Sequence, residues 1–291
     1  MFSGHDFLWS ILVPGLVALA IRLAGAALKL RAWPAAALGL AFLAAFPAIN
    51  FGAWRFPAIV PADSAGWLPY VAVFAMVFGI ADGSLRWPQP MRALTLVIVA
   101  AIGLWLELKF KFNADWTGPH GAIIITAFAL LAGIWWDALE DLSSSAIVLP
   151  PLQMWLIASC AAVVLMLIGP VTYGKFSLTL ASGSFAMLPA LLWRRSHGAL
   201  RGIAAVFAIL LVSLLAGGYY LSSLSTVVLT ILATTPLFIW PCRWVPARWK
   251  PWRRGMLRLL ITLVPLATAL VLAGIQFQRE QRGGENAYYS E

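Results

Sequence analysis

The sequence predicts an all-α fold, a polytopic bundle of about ten transmembrane helices in a single integral membrane domain, residues 1–291. The first observation is composition: 62% of the 291 residues are hydrophobic and 11% are charged, with a mean hydropathy of +0.88. Soluble domains carry roughly 25% charged residues. The second is that the apolar residues form blocks of about 17–23, the length that crosses a hydrocarbon core of about 30 Å. The blocks lack strict alternation, which excludes a transmembrane β-barrel.

Ten candidate spans follow one another along the chain, separated by Pro, Gly and charged residues. They are Phe7–Leu28, Pro34–Ala53, Trp67–Gly83, Ala93–Phe110, Gly121–Trp136, Leu152–Gly169, Leu178–Trp193, Gly202–Leu221, Leu224–Trp240 and Leu257–Phe277. No Lys or Arg precedes the first run, so we expect a retained span rather than a cleaved signal peptide. A short polar tail, 278–291, follows the last span.

Tryptophan marks the predicted ends of the spans. Indole rings favour the headgroup level of a bilayer, because one edge is polar and the body is apolar. We therefore expect an interface belt. Its predicted members are Trp33, Trp54, Trp67, Trp87, Trp116, Trp135, Trp136, Trp193, Trp240 and Trp244.

Lys and Arg are distributed unequally between the two sides of the predicted bundle. Thirteen of the twenty lie in joints after odd-numbered spans and six after even-numbered spans, with Arg22 inside the first span. Cytoplasmic loops carry the excess of Lys and Arg. The sequence thus predicts a multi-pass protein of a bacterial-type inner (plasma) membrane, with both termini outside.

The two halves of the chain have a similar rhythm of spans. The fifth and tenth share letters, TAFALLAGI at 126–134 and TALVLAGI at 268–275 with one gap. Five spans per half would invert the second half relative to the first, as in many secondary transporters. The sequence suggests such a five-plus-five inverted repeat. The alternative is chance, since Ala, Leu, Gly and Ile dominate every span.

Three charged residues within or at the ends of spans are candidate functional charges, because charge is costly inside hydrocarbon. Arg22 either snorkels to the interface or faces a carboxylate or anionic substrate inside the bundle. Glu107 is spaced i, i+4 from Lys111, which favours a local ion pair. Asp82 closes the third span, where a solvated helix end is the simplest explanation.

Asp137, Glu140 and Asp141 form the most concentrated acidic cluster, at the end of the fifth span. Asp137 and Asp141 share one helix face. We expect them to contact a basic joint, either Arg194–Arg195 or the 243–258 segment. The alternative is a Mg²⁺ site. The spacing resembles the DxxxD element of membrane prenyltransferases, but their second Asp-rich motif is missing.

No other catalytic, cofactor-binding or metal residues are predicted. The three histidines lie in separate segments, the two cysteines at different predicted depths, and no Gly-rich phosphate loop occurs. The net charge of +9 maps to joints, which disfavours nucleic-acid binding. The predicted partners are the lipid bilayer, with anionic headgroups at the 242–258 basic loop, and a membrane or cytoplasmic protein.

The leading functional prediction is a small permease or channel-like carrier. It rests on the number of spans, on Pro and Gly within or at span ends, and on the repeat. One alternative is a non-catalytic membrane subunit that anchors or assembles a complex, favoured by the scarcity of intramembrane polar groups. The other is a lipid-processing membrane enzyme, which rests on Asp137–Asp141 and is less favoured.

Overall fold

The computed structural model describes residues 4–28, 33–51, 59–85, 87–143, 148–189, 202–221, 224–238 and 251–288. Ten helices, numbered in chain order, occupy nearly all of these ranges, and no strand occurs in them. They are α1 Gly4–Ala27, α2 Trp33–Phe51, α3 Leu68–Ser84, α4 Gln89–Ala114, α5 Gly118–Ser143, α6 Leu149–Ile168, α7 Val171–Phe185, α8 Ile203–Tyr220, α9 Thr226–Thr234 and α10 Pro251–Tyr288. The predicted all-α bundle is confirmed.

Length and composition divide these helices into two groups. Among the described residues, α1, α3, α4, α5, α6, α8 and α10 are long and apolar enough to cross a membrane. The apolar segments at α2 and α9 are shorter. Helix α10 continues through Tyr288, so most of the predicted polar tail is an extension of that helix rather than a separate segment.

The seventh predicted span, Leu178–Trp193, starts at the wrong residue. Helix α7 begins at Val171, directly after the extended residue Pro170. The predicted span left Lys175 in the preceding joint, but Lys175 lies within α7 and forms an ion pair with Asp6 of α1. Pairing lowers the cost of placing an amine within the bundle, so the helix can include this segment. Residues 190–193 lie outside the described ranges.

Helix α8 is the central element of the bundle. Of its residues, 89% are buried, and it packs against α2, α3, α4, α5, α6 and α7. Gly202 precedes α8 with a φ of +86°, and a Cβ there would lie 2.0 Å from the carbonyl oxygen of Gly79 in α3. Glycine therefore satisfies both the left-handed backbone and the close approach of α3 and α8.

Successive helices run in opposite directions, so their ends lie at two opposite ends of the bundle. Asp82 of α3, Arg92 of α4 and Glu140 of α5 meet at one end, which we call the Arg92 end. Glu107 of α4 and Gly217 of α8 approach each other at the other, the Glu107 end. At 1.5 Å per residue, the fifteen residues from Arg92 to Glu107 separate these ends by about 22 Å.

The prediction of an interface belt of tryptophans is wrong for three of its members. Trp67, Trp135 and Trp136 are at most 9% exposed and pack among the helices. Trp33, Trp87 and Trp116 are only partly buried. Trp54, Trp193, Trp240 and Trp244 lie outside the described residues. Indole position along the chain thus indicated helix ends, but did not indicate which rings face outward.

Candidate functional site

A buried ion-pair network joins three helices at the Arg92 end. The Arg92 guanidinium donates two hydrogen bonds to the Asp82 carboxylate, one of them 3.0 Å from Nη2 to Oδ2. The same Nη2 lies 2.6 Å from Oε1 of Glu140. The guanidinium carbon also lies 5.0 Å from the centre of the Trp136 ring. Arg92 therefore neutralises carboxylates of α3 and α5 while it packs on an aromatic face.

The prediction of a solvated helix end at Asp82 is wrong. The Asp82 side chain is 0% exposed and bound by Arg92. The two residues lie almost equally far from the centre of the short α3–α4 connection, so the helical hairpin places them opposite each other. That symmetry is present in the sequence, and it is the signal by which Arg92, which was assigned only to a joint, could have been found.

Two carboxylates of the acidic cluster in α5 contact arginines, and one of these two contacts is the predicted one. Asp141 lies 3.9 Å from Nη2 of Arg258, measured at Oδ2, and Arg258 belongs to the 243–258 segment that was expected to pair with it. Glu140 instead binds Arg92. Arg194 and Arg195 lie outside the described residues. Within the described ranges, no group of three or more His, Cys, Asp or Glu side chains is placed to hold a metal ion.

Asp137 lines a shallow groove of about 530 Å³ between α4 and α5, beside Gln89 and Trp136. The other side chains that line this groove are apolar. The three carboxylates that the sequence grouped together thus face different surroundings: Asp137 lines the groove, Glu140 binds Arg92 and Asp141 lies near Arg258.

A second polar cluster lies at the Glu107 end, and its centre is the Glu107 carboxyl. Glu107 is 0% exposed, and neither of its oxygens makes a hydrogen bond of normal geometry. The hydroxyls of Tyr173 in α7 and Ser213 in α8 are the polar groups that face this carboxyl. Both hydroxyls also lack a hydrogen-bond partner of normal geometry among the described residues.

Gly217 makes room for this cluster. A Cβ at that position would lie 2.5 Å from Oε1 of Glu107 and 2.2 Å from Cε1 of Tyr173. Real Cβ atoms do not approach other heavy atoms so closely, so any side chain here would displace one of the two. The absence of a side chain on α8 is what allows a carboxyl from α4 and a phenol from α7 to meet.

The predicted Glu107–Lys111 ion pair is wrong. Lys111 lies 2.9 Å from Oδ2 of Asp115, which is also spaced i, i+4. Lys109 places its amine 3.8 Å from the centre of the Trp67 ring. Both lysines therefore have other contacts, and Glu107 points into the bundle between α7 and α8.

Arg22, the remaining candidate, is buried in α1 with 4% of its surface exposed. Its Nε has no hydrogen-bond partner among the described residues. The side chain therefore stays within the bundle rather than reaching its outer surface. Residues 29–32, which follow α1, lie outside the described ranges.

The predicted lipid-contacting loop at 242–258 falls mostly outside the described residues, which resume at Pro251. Of its cations, Arg258 is 5% exposed and faces Asp141, so it belongs to the interior of the Arg92 end. Comparison of the chain with protein-family models, with curated proteins and with solved structures finds no match.

Proposed function

We propose that the chain is a small-solute permease or channel-like carrier. The observation that carries the proposal is the cluster of Glu107, Tyr173 and Ser213. A polar group buried without a hydrogen bond costs about 1–3 kcal/mol, and an ionisable group costs more. Ionisable side chains inside helical membrane bundles mark solute or proton pathways by default. The cluster therefore supports a functional rather than a stabilising role for these side chains.

The position of the cluster between the two halves of the chain also supports a carrier. Glu107 belongs to α4, in the first half, whereas Tyr173 and Ser213 belong to α7 and α8, in the second. Carriers built from repeats bind their solutes where the repeats meet. A movement of one half against the other would change the distance of the Glu107 carboxyl from the two hydroxyls.

Helix packing gives only partial support to a five-plus-five inverted repeat. The corresponding helices α2 and α7 pack together, as do α3 and α8, which is the arrangement expected around a two-fold axis between the halves. Helix α8 also packs against α4 and α5, whereas the counterpart contacts of α3 with α9 and α10 are at most slight among the described residues. The inverted repeat stays a prediction.

The proposal includes an orientation, with the Arg92 end in the cytoplasm of a bacterial-type cell and both termini outside. It rests on the excess of Lys and Arg in the joints at that end. Reporter fusions after Ala32 and Lys250 should indicate the cytoplasm, and fusions after Asp63 and the C-terminus should indicate the outside. A cytoplasmic signal after Asp63 would reverse the orientation.

Transport by the purified chain tests the proposal. Reconstituted proteoliposomes should be exposed in turn to amino acids, amines, organic acids, sugars, nucleosides and metal ions, and uptake and charge movement measured. We expect one class to enter at least tenfold faster than into protein-free vesicles. Glu107→Gln should abolish this uptake. Asp115→Asn, a matched change of an exposed carboxylate directly after α4, should preserve it.

The main alternative is a non-catalytic subunit that assembles or anchors a complex. The close packing of α8 favours it, because a carrier needs helices that separate. If no solute class moves faster than through empty vesicles, the carrier proposal fails. A defined complex that assembles from purified components equally well with wild type and Glu107→Gln would then support the assembly role.

A further inference from the structure

The environment of Glu107 lacks compensation for a negative charge. The carboxyl is fully buried, and in the part of the chain that the structure describes, the polar groups that face it are the Tyr173 and Ser213 hydroxyls. An isolated ionised carboxylate in a medium of low dielectric constant is far more costly than a neutral acid. In the closed bundle, therefore, the stable form of this side chain is the one that carries a proton.

The charged groups around the cluster have contacts of their own, and Asp63 also interacts electrostatically with Tyr173. On α4, Lys109 contacts Trp67 and Lys111 pairs with Asp115. Before α3, the Asp63 carboxylate accepts a hydrogen bond from the Gly66 backbone. Other titratable groups of the described residues at this end are Tyr70 of α3, His120 of α5, His5 and Asp6 of α1, Lys175 of α7, Tyr219 and Tyr220 of α8, and Arg279 and Glu280 of α10. None of these groups is a hydrogen-bond or ion-pair partner of Glu107.

We propose that Glu107 is a proton-binding site whose protonation and deprotonation accompany movement of the bundle, and this inference rests on the proposed carrier function. As the Glu107 end closes, the carboxylate takes a proton from the aqueous phase and becomes a neutral carboxylic acid. When that end opens, the acid returns the proton to water. No electron transfer or further reactant is needed.

A proton suits the cluster better than a metal cation. Hard cations such as Mg²⁺ or Ca²⁺ take six or more oxygen ligands, several of them carboxylates or carbonyls. Here one carboxyl and two hydroxyls converge from three helices. A proton needs one carboxyl, and the hydroxyls can donate to its ionised form once it is exposed.

The cluster lies close enough to one end of the bundle for proton exchange. Glu107 is seven residues from the last residue of α4, Tyr173 is two residues into α7, and Gly217 is three residues from the end of α8. At 1.5 Å per residue, Glu107 is about 10 Å beneath that helix end. A small separation of α4 from α7 and α8 would connect it with water at the Glu107 end.

Labelling with an apolar carbodiimide tests the proton site directly. Dicyclohexylcarbodiimide adds to a protonated carboxyl in an apolar environment and leaves an adduct that contains the intact reagent, which peptide mass spectrometry locates. On the full chain in detergent micelles or vesicles, we expect the adduct at Glu107 and not at Asp115. Labelling should fall as the pH is raised, because the ionised form does not react.

Two variants separate a proton site from a merely reactive residue. Glu107→Gln should lose the adduct at least tenfold while its thermal unfolding stays like that of wild type. Tyr173→Phe removes a donor that stabilises the carboxylate, so labelling should persist to a pH higher by about one unit. Tyr70→Phe, a matched loss of a hydroxyl at the same end, should not move the profile.

The outcomes distinguish this inference from the carrier proposal. Absence of the adduct on Glu107 at every pH, in protein that unfolds like wild type, overturns the proton site. An unchanged profile in Tyr173→Phe overturns the assignment of that hydroxyl. Label on Glu107 without transport of any solute leaves the proton site standing and removes the carrier. Transport that is independent of pH and retained in Glu107→Gln removes the proton site alone.

Discussion

Asp82 and Glu107 are two fully buried carboxyls at opposite ends of the same helical hairpin, and their surroundings differ. Asp82 receives two hydrogen bonds from an arginine that also binds Glu140 and packs on the ring of Trp136. Glu107 faces two hydroxyls and has no cationic partner among the described residues. The first carboxyl is therefore buried as part of an ion pair, whereas the second is buried without one.

This difference distinguishes a buried charge that holds helices together from a buried ionisable group that serves a function. A buried ion pair contributes little net stability, but removal of one partner is costly because the other charge stays uncompensated. A neutral acid leaves no charge behind when it is replaced. The Arg92 end is therefore expected to be sensitive to charge removal, and the Glu107 end to be sensitive to shape and to pH.

The largest loss of stability is expected for Arg92→Leu. This change leaves Asp82 buried without its partner and removes the bridge from α3 to α5. The free energy of unfolding should fall by about 3–5 kcal/mol, measured by denaturant titration of helical circular dichroism in detergent micelles. Because the buried Asp82 and the partly buried Glu140 then lose the same cation, the protein should also show lower yield when purified.

Arg253→Leu is the matched control for this prediction. Arg253 is exposed near the start of α10, so its replacement should change the free energy of unfolding by less than about 0.5 kcal/mol. The double variant Asp82→Leu, Arg92→Leu should recover part of the loss, since it removes both charges. A loss for Arg92→Leu no larger than for Arg253→Leu would mean that the network does not hold the three helices together.

An intermediate effect is expected for Gly217→Ala. The added Cβ would meet Tyr173 at 2.2 Å and Glu107 at 2.5 Å, so α8 or one of these side chains must shift. Overpacking of this kind costs about 1–3 kcal/mol, measured in the same titration. Gly274→Ala in α10, where nothing lies within 4 Å, should instead be neutral or stabilise by up to about 1 kcal/mol through helix propensity. Equal effects at the two positions would show that the cluster is loosely packed.

The smallest effect on stability is expected for Glu107→Gln. An amide of the same shape replaces a neutral acid, so the free energy of unfolding should change by less than about 1 kcal/mol. Asp82→Asn, the same chemical change at the Arg92 end, should cost about 3 kcal/mol because Arg92 loses a charged partner. If Glu107→Gln lowered the free energy of unfolding as much as Asp82→Asn does, Glu107 would be ionised in the folded state. That result would contradict the comparison.

The fold was predictable because it depends on composition summed over whole segments. Each span contains many apolar residues, so a few charges do not alter its assignment. The start of α7 was predicted seven residues too late, at Leu178 rather than Val171, and the missed segment contains Lys175, which is paired with Asp6. Contacts were harder to predict. Lys111 has carboxylates at both Glu107 and Asp115 with the same i, i+4 spacing, and spacing alone cannot choose between them.

The sequence by itself determined that this chain forms a helical bundle of membrane-protein type, and roughly where each helix lies, because hydropathy is additive along the chain. It also placed Asp82 and Arg92 symmetrically about a short connection. In a helical hairpin, residues in such positions lie opposite each other and can form a contact. Only the tertiary structure decided that Glu107 turns away from its local lysines toward Tyr173 and Ser213. Those residues are 66 and 106 positions further along the chain, and they meet Glu107 because α8 packs at the centre and Gly217 leaves room there.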